Sequence, residues 1–145
     1  MGAGLYKGDV TPGHAWGVLS GSAKAALVDV RTAAEWTFVG TPDLSGAPGA
    51  FLRVEWQRYP DMARNPDFVV NVGAALAEAG VGRDDPVFFL CRSGARSAAA
   101  AAALTTAGFE SCYNIRGGFE GPLDEERHRG RVEGWKAEGL PWAQP

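Results

Sequence analysis

Val87-Phe88-Phe89-Leu90-Cys91-Arg92-Ser93-Gly94-Ala95-Arg96-Ser97, continued by unbroken alanine over 98–103, is the stretch that sets the fold. Four apolar residues closed by a glycine-bearing loop suit a strand buried on both faces of a parallel sheet, and alanine is the strongest helix former. Cys91 therefore stands where a strand hands over to a helix. The first N–H groups of that helix lack intrahelical partners and carry the positive end of its dipole, so the loop is expected to form a cup that favours an anion. A thiolate is such an anion, and Arg92 and Arg96 add positive charge beside it. Cys91 is accordingly expected to have a depressed pKa and to act as a nucleophile at neutral pH.

Outward from this loop, further segments fall into a familiar order. The pattern Cys91-x-x-Gly94-x-Arg96-Ser97 between a core strand and an alanine-rich helix resembles the active-site loop of the rhodanese family of sulfurtransferases, in which the cysteine carries a persulfide. Leu27-Val28-Asp29-Val30-Arg31, followed by Glu35-Trp36, is similar to that family's Asp-x-Arg-and-acidic signature at the end of its second strand. Cys112-Tyr113-Asn114-Ile115 leading into Gly117-Gly118-Phe119 resembles its last strand and glycine turn, and Gly134-Trp135 with Gly139-Leu140-Pro141-Trp142 resembles its usual ending. Many members carry Gly-His-Ile-x-Gly-Ala before the third core strand, whereas this chain has Ser45-Gly46-Ala47-Pro48-Gly49-Ala50 after a longer insert. The histidine is gone and the turn is kept.

The resemblance implies a rhodanese-like three-layer α/β sandwich, with a mainly parallel sheet of about five strands flanked by helices on both faces. It implies sulfur transfer in two half-reactions: Cys91 takes a sulfane sulfur from thiosulfate, mercaptopyruvate or a persulfide, then passes it to a thiol or cyanide acceptor. A thioredoxin-like protein is among the candidate acceptors. No metal or organic cofactor enters this chemistry. The loop N–H groups of Arg92, Ser93, Gly94, Ala95, Arg96 and Ser97 are expected to converge on the terminal sulfur, with Gly94 letting the backbone curl toward it. Asp29, Arg31 and Glu35 are supporting residues, read either as an ion-pair set holding a strand end against the loop or as direct participants.

Composition bounds the rest. A chain of 145 residues with 46% hydrophobic and 21% charged residues fits one soluble domain, with a core over about 9–120 and a C-terminal extension over about 121–145. A net charge of -3 offers neither a basic face for nucleic acid nor a polybasic patch for a membrane. The start, Met1-Gly2-Ala3-Gly4-Leu5-Tyr6-Lys7, lacks the apolar core of a signal peptide, and a cytoplasmic location is expected. Two cysteines are too few for a disulfide framework and lack partners for a zinc site, which favours a reactive thiol at Cys91 and an inert apolar filler at Cys112. His14 and His128 read as surface residues.

Along the chain, Thr11-Pro12 predicts a helix start, with a stop at Gly21. Residues 25–30 read as a buried strand, Thr32 and Glu35 as a capping box opening a short helix, and 51–56 as a strand. Asn65-Pro66-Asp67 caps a helix bearing Phe68, Val69, Val72, Leu76 and Ala79, closed by Gly80. The helix after Gly94 should run to about Ala107, residues 111–115 should be the last strand, and a short helix is expected near 132–138.

Arg92 reads either as a mouth residue attracting an anionic donor or as an ordinary surface arginine. Arg96, a cation at a helix start, opposes the macrodipole and needs a compensating partner or an anion, with Asp29 and Glu35 as the candidate partners. Some thiosulfate-using relatives carry a basic residue where this chain has Glu35, and an acid there would repel a dianion. A rival chemistry, a cysteine phosphatase or arsenate reductase, needs five residues between cysteine and arginine to ring a phosphate, whereas only 92–95 separate Cys91 from Arg96. A non-catalytic interaction module on the same fold is the second rival.

Overall fold

Local chemistry sets the helix boundaries. In this computed structural model, which describes residues 5–145, Thr11 caps the first helix by accepting the His14 N–H, and Pro12 takes the first helical position, where a missing N–H costs nothing. Met1 to Gly4, on which the reading of the chain start partly rested, lie outside the described residues. In order the elements are β1 (Gly8–Val10), α1 (Pro12–Gly21), β2 (Ala26–Asp29), α2 (Ala33–Phe38), β3 (Thr41–Pro42), β4 (Ala50–Arg53), β5 (Gln57–Arg58), β6 (Ala63–Arg64), α3 (Phe68–Glu78), β7 (Val87–Leu90), α4 (Ala95–Thr106), β8 (Cys112–Ile115) and β9 (Trp142–Ala143).

Five strands form one sheet in the order β1-β8-β7-β2-β4, every pairing parallel, so the expected α/β sandwich is present. Its inner strands are apolar on both sides because both faces are covered. Ala26, Val28, Val87 and Phe89 pack with Phe68, Val72 and Leu76 of α3 and with Ala100, Ala101 and Leu104 of α4. On the opposite face Leu27, Phe88 and Leu90 meet Ala15 and Leu19 of α1, together with Phe119 and Trp135. The small alanine face of α4 is what lets that helix lie close on β7 and β8.

Several segments differ from expectation. β1 pairs beside β8 at the sheet edge, too short to announce itself by alternation. The third core strand, expected to reach Trp56, ends as β4 at Arg53, although Val54 and Trp56 still donate to Asp29 and Val30 carbonyls. The cap of α3 is not a side-chain cap: Asp67 sits at the N-cap without a bond, while Asn65 accepts the Asp67 N–H and donates to the Glu55 carbonyl. No helix forms over 132–138, since Gly130, Gly134 and Gly139 take φ of +87°, +112° and +72°, outside the helical basin. That segment instead turns repeatedly around Trp135, which is fully buried. Residues after 121 are tied to the body: β9 pairs antiparallel with β3, and the Glu138 carboxylate accepts the Gly13 N–H. Among the described residues no helix is long and apolar enough to cross a membrane.

Candidate active site

Parallel pairing of β2 with β7 places Asp29 beside Leu90, so the loops that follow these strands leave one sheet edge as neighbours. The chain runs from β2 to β4 on one side and returns through α3 to β7 on the other. That reversal opens a crevice at the carboxyl ends, where open α/β sheets bind ligands. Cys91 lies on this edge with its Sγ turned into the loop: the Gly94 N–H donates to it at 3.1 Å and the Ser97 Oγ stands 3.1 Å away. Gly94 takes φ of +123°, a conformation that brings its N–H round to the sulfur and that a side chain would resist. The N–H groups of Arg92, Ser93, Ala95, Arg96 and Ser97 meet no acceptor among the described residues. Five donors of the loop and first helical turn are therefore unengaged at the start of a twelve-residue helix.

A glycine turn holds the loop from behind. Phe119 N–H donates to the Cys91 carbonyl at 2.8 Å, and Glu120 and Gly121 N–H groups both donate to that of Arg92, at 3.0 and 3.1 Å. Gly118 makes this approach feasible with φ of +61°; a Cβ there would lie against the Cys91 oxygen and 2.7 Å from the Arg92 carbonyl carbon.

The three supporting residues do not form one set. Asp29 and Arg31 make a fully buried bidentate pair at 2.9 and 2.7 Å. Arg31 also donates to the Gly40 carbonyl and stacks 4.3 Å over Phe119, so this pair ties the end of β2 to the interior and does not face the crevice. Glu35 is the partner that Arg96 required, in a bidentate contact at 2.7 and 3.0 Å. It also completes the capping box of α2 by accepting the Thr32 N–H. Burial raises the Glu35 pKa, but the Arg96 guanidinium, the Thr32 N–H and the charges of Arg96 and Arg31 outweigh it and hold the carboxyl below its usual range. Arg96 is likewise desolvated, yet Glu35 more than compensates and holds it charged.

Above the loop opens a cleft of about 770 Å³ whose walls include Glu35, Phe38, Tyr59, Met62, Arg92 and Arg96. Arg92 is exposed at its rim, and Ser93 and Ala95 are exposed beside it. Cys91, 1% exposed, belongs to the floor beneath this cleft and not to its wall.

Two side chains near the sulfur escaped the sequence reading. Asn114 of β8 approaches Ser97, and Asp9 of β1 approaches Asn114. The available signal was an amide at an inward position of an otherwise apolar strand. Cys112 stays in the core, where burial pushes its thiol up to about 11. His14 and His128 are exposed. Asp124, Glu126 and His128 approach one another within 4.8 Å, but Asp124 already accepts the N–H groups of Glu126 and His128 as a turn cap.

Known proteins resemble this chain in sequence and fold. The rhodanese-like domain model matches residues 17–124. A crystal structure of Rv0390 from M. tuberculosis superposes with a TM-score of 0.82 at 48% identity, covering 97% of this chain and 99% of that one. An uncharacterised protein of Rickettsia rickettsii, the RP600 homolog, is 38% identical over 88% of this chain and 90% of its own length. The thiosulfate sulfurtransferase GlpE of Actinobacillus succinogenes is 29% identical over 92% of this chain and 87% of its own. A parallel sheet carrying a cysteine loop at its carboxyl edge, matched over most of its length by that domain model, places this chain in the rhodanese-like domain family.

Proposed function

We propose that the protein is a sulfurtransferase that carries a sulfane sulfur on Cys91. The observation that carries this reading is the turn of the Cys91 sulfur into a loop whose Gly94 N–H already donates to it, while five other N–H groups of the loop and first helical turn are unengaged. In the first half-reaction the Cys91 thiolate attacks the outer sulfur of the donor. An S–S bond forms on the enzyme, the donor's own bond to that sulfur breaks, and sulfite, pyruvate or a thiol departs according to whether thiosulfate, mercaptopyruvate or a persulfide was used. In the second, cyanide or a thiol attacks the terminal sulfur and the thiolate is released. The loop amides stabilise the terminal sulfur anion with preorganised hydrogen bonds, an effect on the order of 10²-fold in rate for comparable anion holes. A thioredoxin-like protein is one candidate acceptor, and a free reacting thiol suits a cytoplasmic location.

One observation favours sulfur over phosphate. Arg96, the arginine that a phosphatase would aim at its substrate, is clamped by Glu35 at 2.7 and 3.0 Å. The test is intact mass after incubation with thiosulfate, mercaptopyruvate or glutathione persulfide. The wild type should gain one sulfur and Cys91→Ser none, while an aryl phosphate should not be turned over. A wild type that stays unloaded with every donor, or loading that survives in Cys91→Ser, would reduce the protein to a non-catalytic module on this scaffold.

A further inference from the structure

Ser97 is fully buried and has one proton to give, yet three acceptors surround its Oγ: Cys91 Sγ at 3.1 Å, the Gly94 carbonyl at 3.2 Å and Asn114 Oδ1 at 2.5 Å. Which of them receives that proton is decided further out. Asn114 Nδ2 donates to Asp9 Oδ1 at 3.1 Å, a carboxylate that also accepts the Tyr6 hydroxyl at 2.8 Å. An ionised carboxylate only accepts, so it holds the amide with its nitrogen toward Asp9 and its oxygen toward Ser97. Two oxygens that close need a proton between them, and only Ser97 has one. Its hydrogen therefore points at Asn114, and the sulfur faces a hydroxyl lone pair.

We propose that Asn114, anchored by Asp9, is a positioning residue that acts through Ser97 on the Cys91 sulfur, turning the one hydroxyl proton beside that sulfur away from it. A lone pair at 3.1 Å suits a thiol, which donates its S–H to Ser97, and does nothing for a thiolate. To stabilise the thiolate the hydroxyl must swing round, leaving the buried Asn114 oxygen without a donor. The chain of side chains thus opposes the loop amides and sets the balance between a protected thiol and a reactive thiolate. The register of the sheet builds it, since Asp9 and Asn114 are direct partners across β1 and β8. Charged groups around the sulfur are Arg92 and Arg96 from its loop and α4, Glu35 from α2 behind Arg96, the Asp29–Arg31 pair at the end of β2, and Asp9 with Tyr6 from β1.

The inference rests on Cys91 being the reacting sulfur, and its test is separable from that reading. Thiolate ultraviolet absorbance is titrated for each variant against the same protein carrying Cys91→Ser, so that only the Cys91 sulfur is read. Asn114→Ala should lower the ionisation midpoint by about one pH unit, the scale of one hydrogen bond regained by the thiolate. Asp9→Ala should move it the same way. In a Ser97→Ala background neither Asn114→Ala nor Asp9→Ala should shift the midpoint, and this separates positioning through the hydroxyl from mere loss of a negative charge. Unmoved midpoints in Asn114→Ala and Asp9→Ala, or an effect of either substitution that survives without Ser97, would each overturn it. Should Asn114→Ala fail to fold, substitution of the exposed Asp9 by alanine, with and without Ser97→Ala, decides. A wild type that accepts no sulfur sinks the proposed function and leaves this titration readable. A loaded wild type with unmoved midpoints sinks the positioning role alone.

Discussion

Glu35 serves both the helix it starts and the loop it faces, through the Thr32 N–H on one side and the Arg96 guanidinium on the other. Its carboxyl titrates below the usual range, so the native state binds its proton more weakly than the unfolded chain does. Stability from this clamp is therefore present above the unfolded glutamate pKa, about 4.3, and is lost as pH falls through the lower folded value. Glu35→Gln should cost about 1–2 kcal/mol at pH 7, discounted for partial exposure, and thermal unfolding should show wild type and variant converging in acid. A gap that persists unchanged in acid would remove the ionic clamp from the explanation. The clamp also answers the repulsion expected of an acid at this position: Arg96 neutralises Glu35, and Arg92 is left exposed at the cleft rim. Arg92→Glu should raise the KM for thiosulfate by about tenfold at low ionic strength with little change in kcat, the difference shrinking as salt is added. A salt-independent KM would make Arg92 an ordinary surface residue.

At the scale of elements, what could be read from sequence had a periodic or capping signature. The Thr11-Pro12 start, the Thr32–Glu35 box, the apolar runs of β2 and β7 and the alanines of α4 each combine a local preference with a burial pattern, and each stands close to where it was expected. The two-residue strands β3, β5, β6 and β9 have no room for alternation and exist only because a partner lies opposite, which the chain does not reveal locally. The expected helix near 132–138 failed because Gly134 inside it, like Gly130 and Gly139 on either side, is used at positive φ. Within the site, the cysteine loop was legible, and Arg96's need of a partner was, with Asp29 and Glu35 both left open; Asn114 and Asp9 were not, since their meeting depends on the parallel register of β8 with β1. Gly118 was visible as a turn residue, but not as the packing surface for the loop. Gly118→Ala meets backbone atoms of Cys91 and Arg92 that have no free torsion to yield, and it adds the strain of a non-glycine residue at positive φ. The substitution should cost about 2–3 kcal/mol and slow sulfur loading by at least roughly tenfold, because the cup would be displaced from the sulfur. Loading at the wild-type rate, followed by mass spectrometry, would show that the turn does not position the loop.

Across the whole molecule, the sheet divides the interior into two cores, and they are closed differently. Helices α3 and α4 close one; α1 closes the other only with help from Leu44, Phe119 and Trp135. Trp135 belongs to the C-terminal segment, beyond the residues matched by the domain model, yet it is the largest fully buried side chain. Its indole N–H donates to the Pro141 carbonyl at 2.7 Å, its backbone N–H donates to Gly118 at 2.8 Å, and the Lys136 N–H donates to Phe119 at 3.1 Å. The segment is thus bonded to the same turn whose N–H groups hold Cys91 and Arg92. Trp135, Trp142 against Phe119, the Arg129 bond to the Gly121 carbonyl and a few main-chain bonds make this attachment, and none leaves a periodic trace in sequence. Trp135→Ala should remove a large part of the second core, lowering Tm by on the order of 10 °C, and it should loosen the turn before it loosens the sheet. Hydrogen exchange should then accelerate at the amides of Phe119, Glu120 and Gly121 well beyond the change at β2 and β7. If those turn amides instead keep pace with the sheet, the segment contributes stability alone, and the site depends on residues up to the glycine turn without it.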